Sequence, residues 1–122
     1  MAAEDAIETC ATTAVHPERV ARIRAQMADA DTADRLAETF GALADTTRLR
    51  ILEALTHEEA CACDLSAALG LTQSGTSHHL RTLRNLRIVK HRREGRLVFY
   101  SLDDEHIRGL FAQGLEHALE GR

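Results

Sequence analysis

Tryptophan is absent from this 122-residue chain, tyrosine occurs once and phenylalanine three times. Leu, Ala, Ile and Val must therefore fill the core. A single proline and seven glycines leave few interruptions, which favours helix over a turn-rich β-sandwich. No apolar run is long enough to span a membrane, and the N-terminal MAAEDAIETC lacks the basic-then-apolar plan of a signal peptide. A cytoplasmic protein with no membrane partner is expected, in a compartment where thiols stay reduced. Three cysteines, an odd number, then argue against a disulfide framework and for metal or redox chemistry. No glycine loop that could cradle a phosphate is present, and no Ser or Cys has a base at motif spacing, so an enzyme is not expected.

The formal net charge is −4, which by itself speaks against a nucleic-acid partner. Its distribution speaks otherwise. Between His78 and Arg96 there are seven Arg or Lys residues (Arg81, Arg84, Arg87, Lys90, Arg92, Arg93 and Arg96) against Glu94 alone, a local +6 that leaves −10 for the rest of the chain. A basic block in an acidic protein is a localised electrostatic footprint.

Residues 1–16 show no helical stripe and read as an arm; residues 17–122 read as one domain. Pro17 suits the first turn of a helix with Val20, Ile23 and Met27 at helical spacing. Asp31 and Thr32 can cap a second helix burying Leu36, Phe40 and Leu43. Asp45 and Thr46 start a third, with Leu49, Leu52 and Leu55 as its stripe and an end near His57. After Asp64 a short helix carries Leu65, Ala68 and Leu69, Gly70 ends it in the left-handed conformation, and Thr72 caps the next helix, Gln73 to about Leu86. Two helices joined by a short turn containing glycine, the second carrying Ser, Thr, His and Arg outward, form a helix-turn-helix plan. Ile88 to His91 and Leu97 to Leu102 read as two strands turning at Glu94 and Gly95, the basic hairpin of a winged helix. The expected fold is mainly α with a small β-hairpin, and its DNA-facing candidates are Gln73, Ser74, Thr76, Ser77, His78, Arg81 and Arg84, with Arg92, Arg93 and Arg96 in the basic wing.

The last segment resumes helix, with Ile107, Leu110, Phe111, Gly114, Leu115 and Ala118 on one stripe. The wing has already closed the domain, so a dimer helix is as natural a use of that stripe as intrachain packing. Asp104, His106, His117 and Glu120 flank it. His106 and His117 are 11 residues apart, which returns to within about 20° of the same face but spans roughly 16 Å, too far for one ion. In an antiparallel pair of such helices, the 106/117 and 104/120 pairs have midpoints within about one residue of each other. A single dyad then brings Asp104 and His106 of one chain beside His117 and Glu120 of the other. Two nitrogen and two oxygen donors suit tetrahedral zinc or cobalt, with two sites per homodimer.

The stretch EEACACDL, residues 58–65, holds Cys61 and Cys63. Two thiolates undercoordinate a divalent ion; the only other cysteine is Cys10 in the arm, with His16 six residues on, and an arm folded across a dimer or back over its own domain could deliver both, with Asp64 as a spare ligand. Cys10, His16, Cys61 and Cys63 would form a thiolate-rich site preferring softer ions such as Cd2+.

LADTTRLRILEAL, CACDLSAALGLTQSGTSHHLRTLRNLRIV and REGRLVFYSL resemble the ArsR/SmtB family of metal-sensing repressors over roughly residues 34–120. The resemblance implies a homodimeric winged helix that leaves operator DNA when metal binds. It also implies a zinc site at Asp104, His106, His117 and Glu120, and a second site at Cys61 and Cys63 like the Cys-x-Cys of the family's cadmium and lead sensors, completed by an N-terminal arm. This arm has only Cys10 where the four-cysteine version has more, which brings in His16. Zn2+ is the expected effector, with Cd2+, Pb2+ or Co2+ as relatives. The competing readings are a cadmium, lead or arsenite sensor acting through the cysteines, and a thiol redox protein using Cys61 and Cys63.

Overall fold

The computed structural model describes residues 15–121. They group into two compact units, divided between Ala33 and Asp34. Cys10 and the rest of the arm before residue 15 lie outside the described residues.

In the first unit, α1 (Pro17–Gln26) begins with proline at its first turn and buries no residue. α2 (Ala30–Leu43) begins in the first unit, where the oxygen of Asp29 accepts the backbone N–H of Thr32 at 2.8 Å, and from Asp34 onward belongs to the second. Asp29 therefore does the capping expected of Asp31 or Thr32, because a cap must sit before the first turn.

The second unit holds the remaining elements: α3 (Thr46–His57), β1 (Ala60–Cys61), α4 (Ala62–Leu69), α5 (Gln73–Asn85), β2 (Val89–Glu94), β3 (Leu97–Leu102) and α6 (Glu105–Leu119). Asp45 caps α3 by accepting the N–H of Arg48 at 2.9 Å. Gly70 ends α4 at φ 69°, and Thr72 caps α5 by accepting the N–H of Gly75 at 3.0 Å. These are the three punctuation marks expected from the sequence.

Ile51, Leu52, Leu55, Leu65, Leu80 and Leu83 bring α3, α4 and α5 onto one aliphatic core, closed below by Ile88, Val89 and Leu102 of the wing. The second helix was expected to bury Leu36 and Phe40. Both are about half exposed, and α2 buries only Ala42.

The sheet has three antiparallel strands in the order β1-β3-β2. β2 runs three residues further than expected, to Glu94, so the turn falls on Gly95 and Arg96, with Gly95 at φ 63°. The extra strand, β1, is only two residues long and too short to show a period in the sequence. It pairs Ala60 with Tyr100 and Cys61 with Phe99.

Candidate metal and nucleic-acid sites

α6 places one carboxylate–imidazole pair at each end. Asp104 is its N-cap: one carboxylate oxygen accepts the N–H of Ile107 at 3.1 Å, and the other lies 3.4 Å from Nδ1 of His106. The Ile107 N–H, and after it His106, hold the Asp104 carboxyl below the usual carboxylate range. It is therefore an ionised acceptor at neutral pH. At the other end Nδ1 of His117 lies 3.6 Å from Oε1 of Glu120, the C-cap residue. Both imidazoles are almost fully exposed, at 95% and 87%.

With about 1.5 Å of rise per residue, the two pairs stand roughly 16 Å apart. Among the described residues of one chain, no three His, Cys, Asp or Glu side chains come together as a metal-binding group. Each end of α6 thus presents two donors, one nitrogen and one oxygen, of a chemistry that zinc or cobalt accepts.

Between these ends α6 carries its apolar stripe largely uncovered. The helix buries no residue, although Ile107 and Phe111 pack partly on the core. Leu110 and Leu115 face a groove shared with Phe40 and Leu43 of α2 and Leu49 of α3. One polar tie fixes α6 to α3, the Arg108 guanidinium donating to the Thr56 carbonyl at 3.0 Å.

Cys61 ends β1 as the N-cap residue of α4 and is buried, whereas Cys63, in the first turn of that helix, is exposed. Extended backbone at Cys61 (φ −87°, ψ 169°) gives way to helix at Ala62. His16 precedes α1 as its N-cap residue and is exposed. Cys10 lies outside the described residues.

On the recognition helix α5, Gln73, Ser74, His78, Arg81 and Arg84 are exposed and Ser77 partly so. Thr76, expected on the DNA-facing side, lies inward instead. It is fully buried, its hydroxyl accepting from Ser66 at 2.9 Å and donating to the Thr72 carbonyl at 2.8 Å. It therefore locks α4 to α5 and is shielded from DNA. Nδ1 of His79 accepts from Nε of Arg48 at 3.3 Å, and the same guanidinium donates to the Ala42 carbonyl. Recognition helix and the end of α2 are thereby tied through one arginine, a link with no local sequence signal because its partners are 31 and 6 residues away.

On the wing, Arg93 and Arg96 are exposed. Arg92 differs: Nε and Nη2 donate to the two oxygens of Glu59, both at 2.8 Å, Nη1 reaches Glu94 at 3.2 Å, and the guanidinium carbon sits 5.0 Å from the Phe99 ring centroid. Neither Ser66 nor Glu59 stood out in the sequence, since each finds its partner across an element boundary.

Three tightly packed helices, a recognition helix with an exposed polar and basic face, and a basic hairpin define a winged helix-turn-helix protein. Residues 45–91 match the family model for bacterial regulatory proteins of the arsR family. A transcriptional repressor SmtB homolog from Synechocystis is 44% identical over 111 residues, covering 91% of this chain and 84% of the relative. A cadmium resistance transcriptional regulatory protein CadC homolog from Staphylococcus aureus is 40% identical, covering 93% of each. Among solved structures, the homodimeric winged helix-turn-helix DNA-binding domain of a possible ArsR-family transcriptional regulator from Mycobacterium bovis superposes with a TM-score of 0.70 at 31% identity, covering 77% of this chain and 89% of that one. The chain belongs to the ArsR/SmtB family of transcriptional regulators.

Proposed function

We propose that the chain is a metal-responsive transcriptional repressor that binds operator DNA as a homodimer and releases it on binding zinc or a related divalent ion. The observation that carries this reading is α6 itself: a helix with an Asp–His pair at one end, a His–Glu pair at the other and an uncovered apolar stripe between them. Apolar surface of that kind is stabilised by burial, and a second copy of α6 running antiparallel would cover it while completing both donor sets. Asp104 and His106 of one chain would then meet His117 and Glu120 of its partner. The exposed residues of α5, with Arg93 and Arg96 of the wing, supply the positive face for phosphate and base contact. The SmtB and CadC relatives support both the repressor role and the metal effector. No helix among the described residues is long and apolar enough to cross a membrane, in keeping with a cytoplasmic regulator.

Regulation by metal is a linkage: the ion must bind the DNA-incompetent dimer more tightly than the competent one, and a typical coupling changes DNA affinity by about 5 to 150-fold. The test is zinc titration of the protein bound to labelled DNA from upstream of its own gene. His106→Gln and His117→Gln should each abolish zinc-driven release while metal-free binding stays intact. Mixing the two variants should restore one intact site per mixed dimer, because both substitutions then fall in the same site. Release of either variant at the wild-type zinc concentration, or no recovery on mixing, refutes a shared site.

A further inference from the structure

We infer that Arg92 is a positioning residue which, clamped by Glu59, fixes the wing against the strand that carries Cys61, and that it makes no contact with DNA itself. The inference rests on the proposed DNA-binding role and deepens it by sorting the wing's three arginines into two roles.

The sheet register sets up the clamp. Cys61 of β1 faces Phe99 of β3, and Phe99 faces Arg92 of β2, so the three form one row across the sheet. Directly opposed residues point to the same side, which puts the Arg92 guanidinium over the Phe99 ring. Glu59 stands two residues before Cys61, an alternation that returns it to the side of Cys61, and from there it reaches across to Arg92. A two-residue strand holds few backbone hydrogen bonds of its own. The bidentate pair adds a second attachment between the segment entering β1 and the outer strand of the wing.

The same geometry makes Arg92 a poor phosphate ligand. Its guanidinium is shared with two carboxylates, Glu59 and Glu94, so the three hydrogen-bonded groups together carry −1, with the Lys90 ammonium also acting on Glu59. A phosphate approaching Arg92 would have to displace Glu59 from two charge-assisted bonds and would still meet both carboxylates at close range. Arg93 and Arg96 are exposed without such a cage among the described residues. The clamp is itself partly exposed, at 52% for Arg92 and 36% for Glu59. Its contribution to any equilibrium is therefore no more than about fivefold, enough to tilt a wing but not to unfold the domain.

The experiment uses the full metal-free chain and two fluorescein-labelled duplexes, one from upstream of its own gene and one of mixed sequence, with affinity measured against salt. Glu59→Gln, Arg92→Gln and the double variant form a cycle. Each single variant should weaken binding by about twofold to fivefold, the double should be no weaker than the worse single, and all three should keep the wild-type salt slope. Arg92→Lys should be as weak as Arg92→Gln, because an ammonium keeps the charge but loses the fork that grips Glu59. Additive losses, a slope smaller by about one in Arg92→Gln, or full affinity in Arg92→Lys would each make Arg92 a phosphate ligand and overturn the clamp. In those cases the DNA-binding reading stands. Wild-type protein that binds neither duplex takes both down.

Discussion

Replacing Thr76 with valine tests whether the helix-turn-helix depends on one buried pair of hydroxyls. Thr76 is wholly inaccessible and Ser66 nearly so, at 7%. Valine has almost the shape of threonine, so no cavity opens and the perturbation is purely polar. Two hydrogen bonds are removed, the one accepted from Ser66 and the one donated to the Thr72 carbonyl. That carbonyl still accepts the Thr76 N–H at 3.0 Å, so the effect there is small. The Ser66 hydroxyl, however, is left in the interior with no partner, which costs about 1–3 kcal/mol, and the total should come to about 2 kcal/mol. Ser66→Ala removes the donor but leaves the Thr76 hydroxyl satisfied by Thr72, so it should cost about 1 kcal/mol. The double variant has no stranded polar group and should cost less than Thr76→Val alone. Urea denaturation of metal-free protein, at one fixed chain concentration because association stabilises the fold, gives all three values. Additive losses, or Thr76→Val within about 0.5 kcal/mol of wild type, would show that Ser66 finds another partner and that the lock between α4 and α5 lies elsewhere.

Arg81→Ala and Arg84→Ala should each weaken DNA binding and lower the log–log salt slope by about one for every phosphate left unneutralised, with zinc stoichiometry unchanged; an unchanged slope in both moves the DNA face off α5. The Arg48 N–H holds the Asp45 carboxyl below its usual range, so the folded state binds that proton more weakly than the unfolded one. The stabilisation is therefore complete above the unfolded carboxylate pKa of about 3.9 and fades as pH falls through the lower folded value. Urea midpoints of wild type and Asp45→Asn should differ at neutral pH and converge in acid; a gap that persists in acid means the carboxylate charge is not the cause. Arg87 occupies a left-handed position (φ 61°) just past α5, with its N–H on the Arg84 carbonyl and that of Ile88 on Leu83, where glycine is the usual occupant. Arg87→Gly should raise stability by about 0.5–1 kcal/mol in the same denaturation assay, and a fall instead would show that the arginine side chain holds an interaction worth more than the strain.

Local signals made much of this architecture readable in advance. Gly70, Thr72 and Asp45 each act within four residues of themselves, so their caps could be placed from sequence alone. The wing announced itself through alternation and charge. What escaped were interactions between residues far apart in sequence. The partners Glu59 and Arg92 are separated by 33 positions, and the strand that aligns them is two residues long. Thr76 looked like its neighbours Ser74 and Ser77 on an outward polar face. Only the approach of α4 reveals that its hydroxyl turns inward to Ser66.

The second helix failed for a different and more informative reason. Leu36 and Phe40 have the spacing of a buried stripe, yet both stand about half exposed. Hydrophobic periodicity reports that a face is to be covered, but not which molecule covers it. Phe40 and the exposed stripe of α6 line one groove, and the Asp–His and His–Glu pairs lie at the two ends of that same helix. If the helix that covers the groove is a second copy of α6 running antiparallel, as proposed, it brings a His–Glu pair toward Asp104 and His106. Metal affinity and dimer affinity are then two readings of one equilibrium, and an ion that bridges chains must tighten the dimer as it binds. Dilution below the dimer dissociation constant should therefore weaken zinc binding in step with it, whereas an ion held within one chain would bind independently of protein concentration.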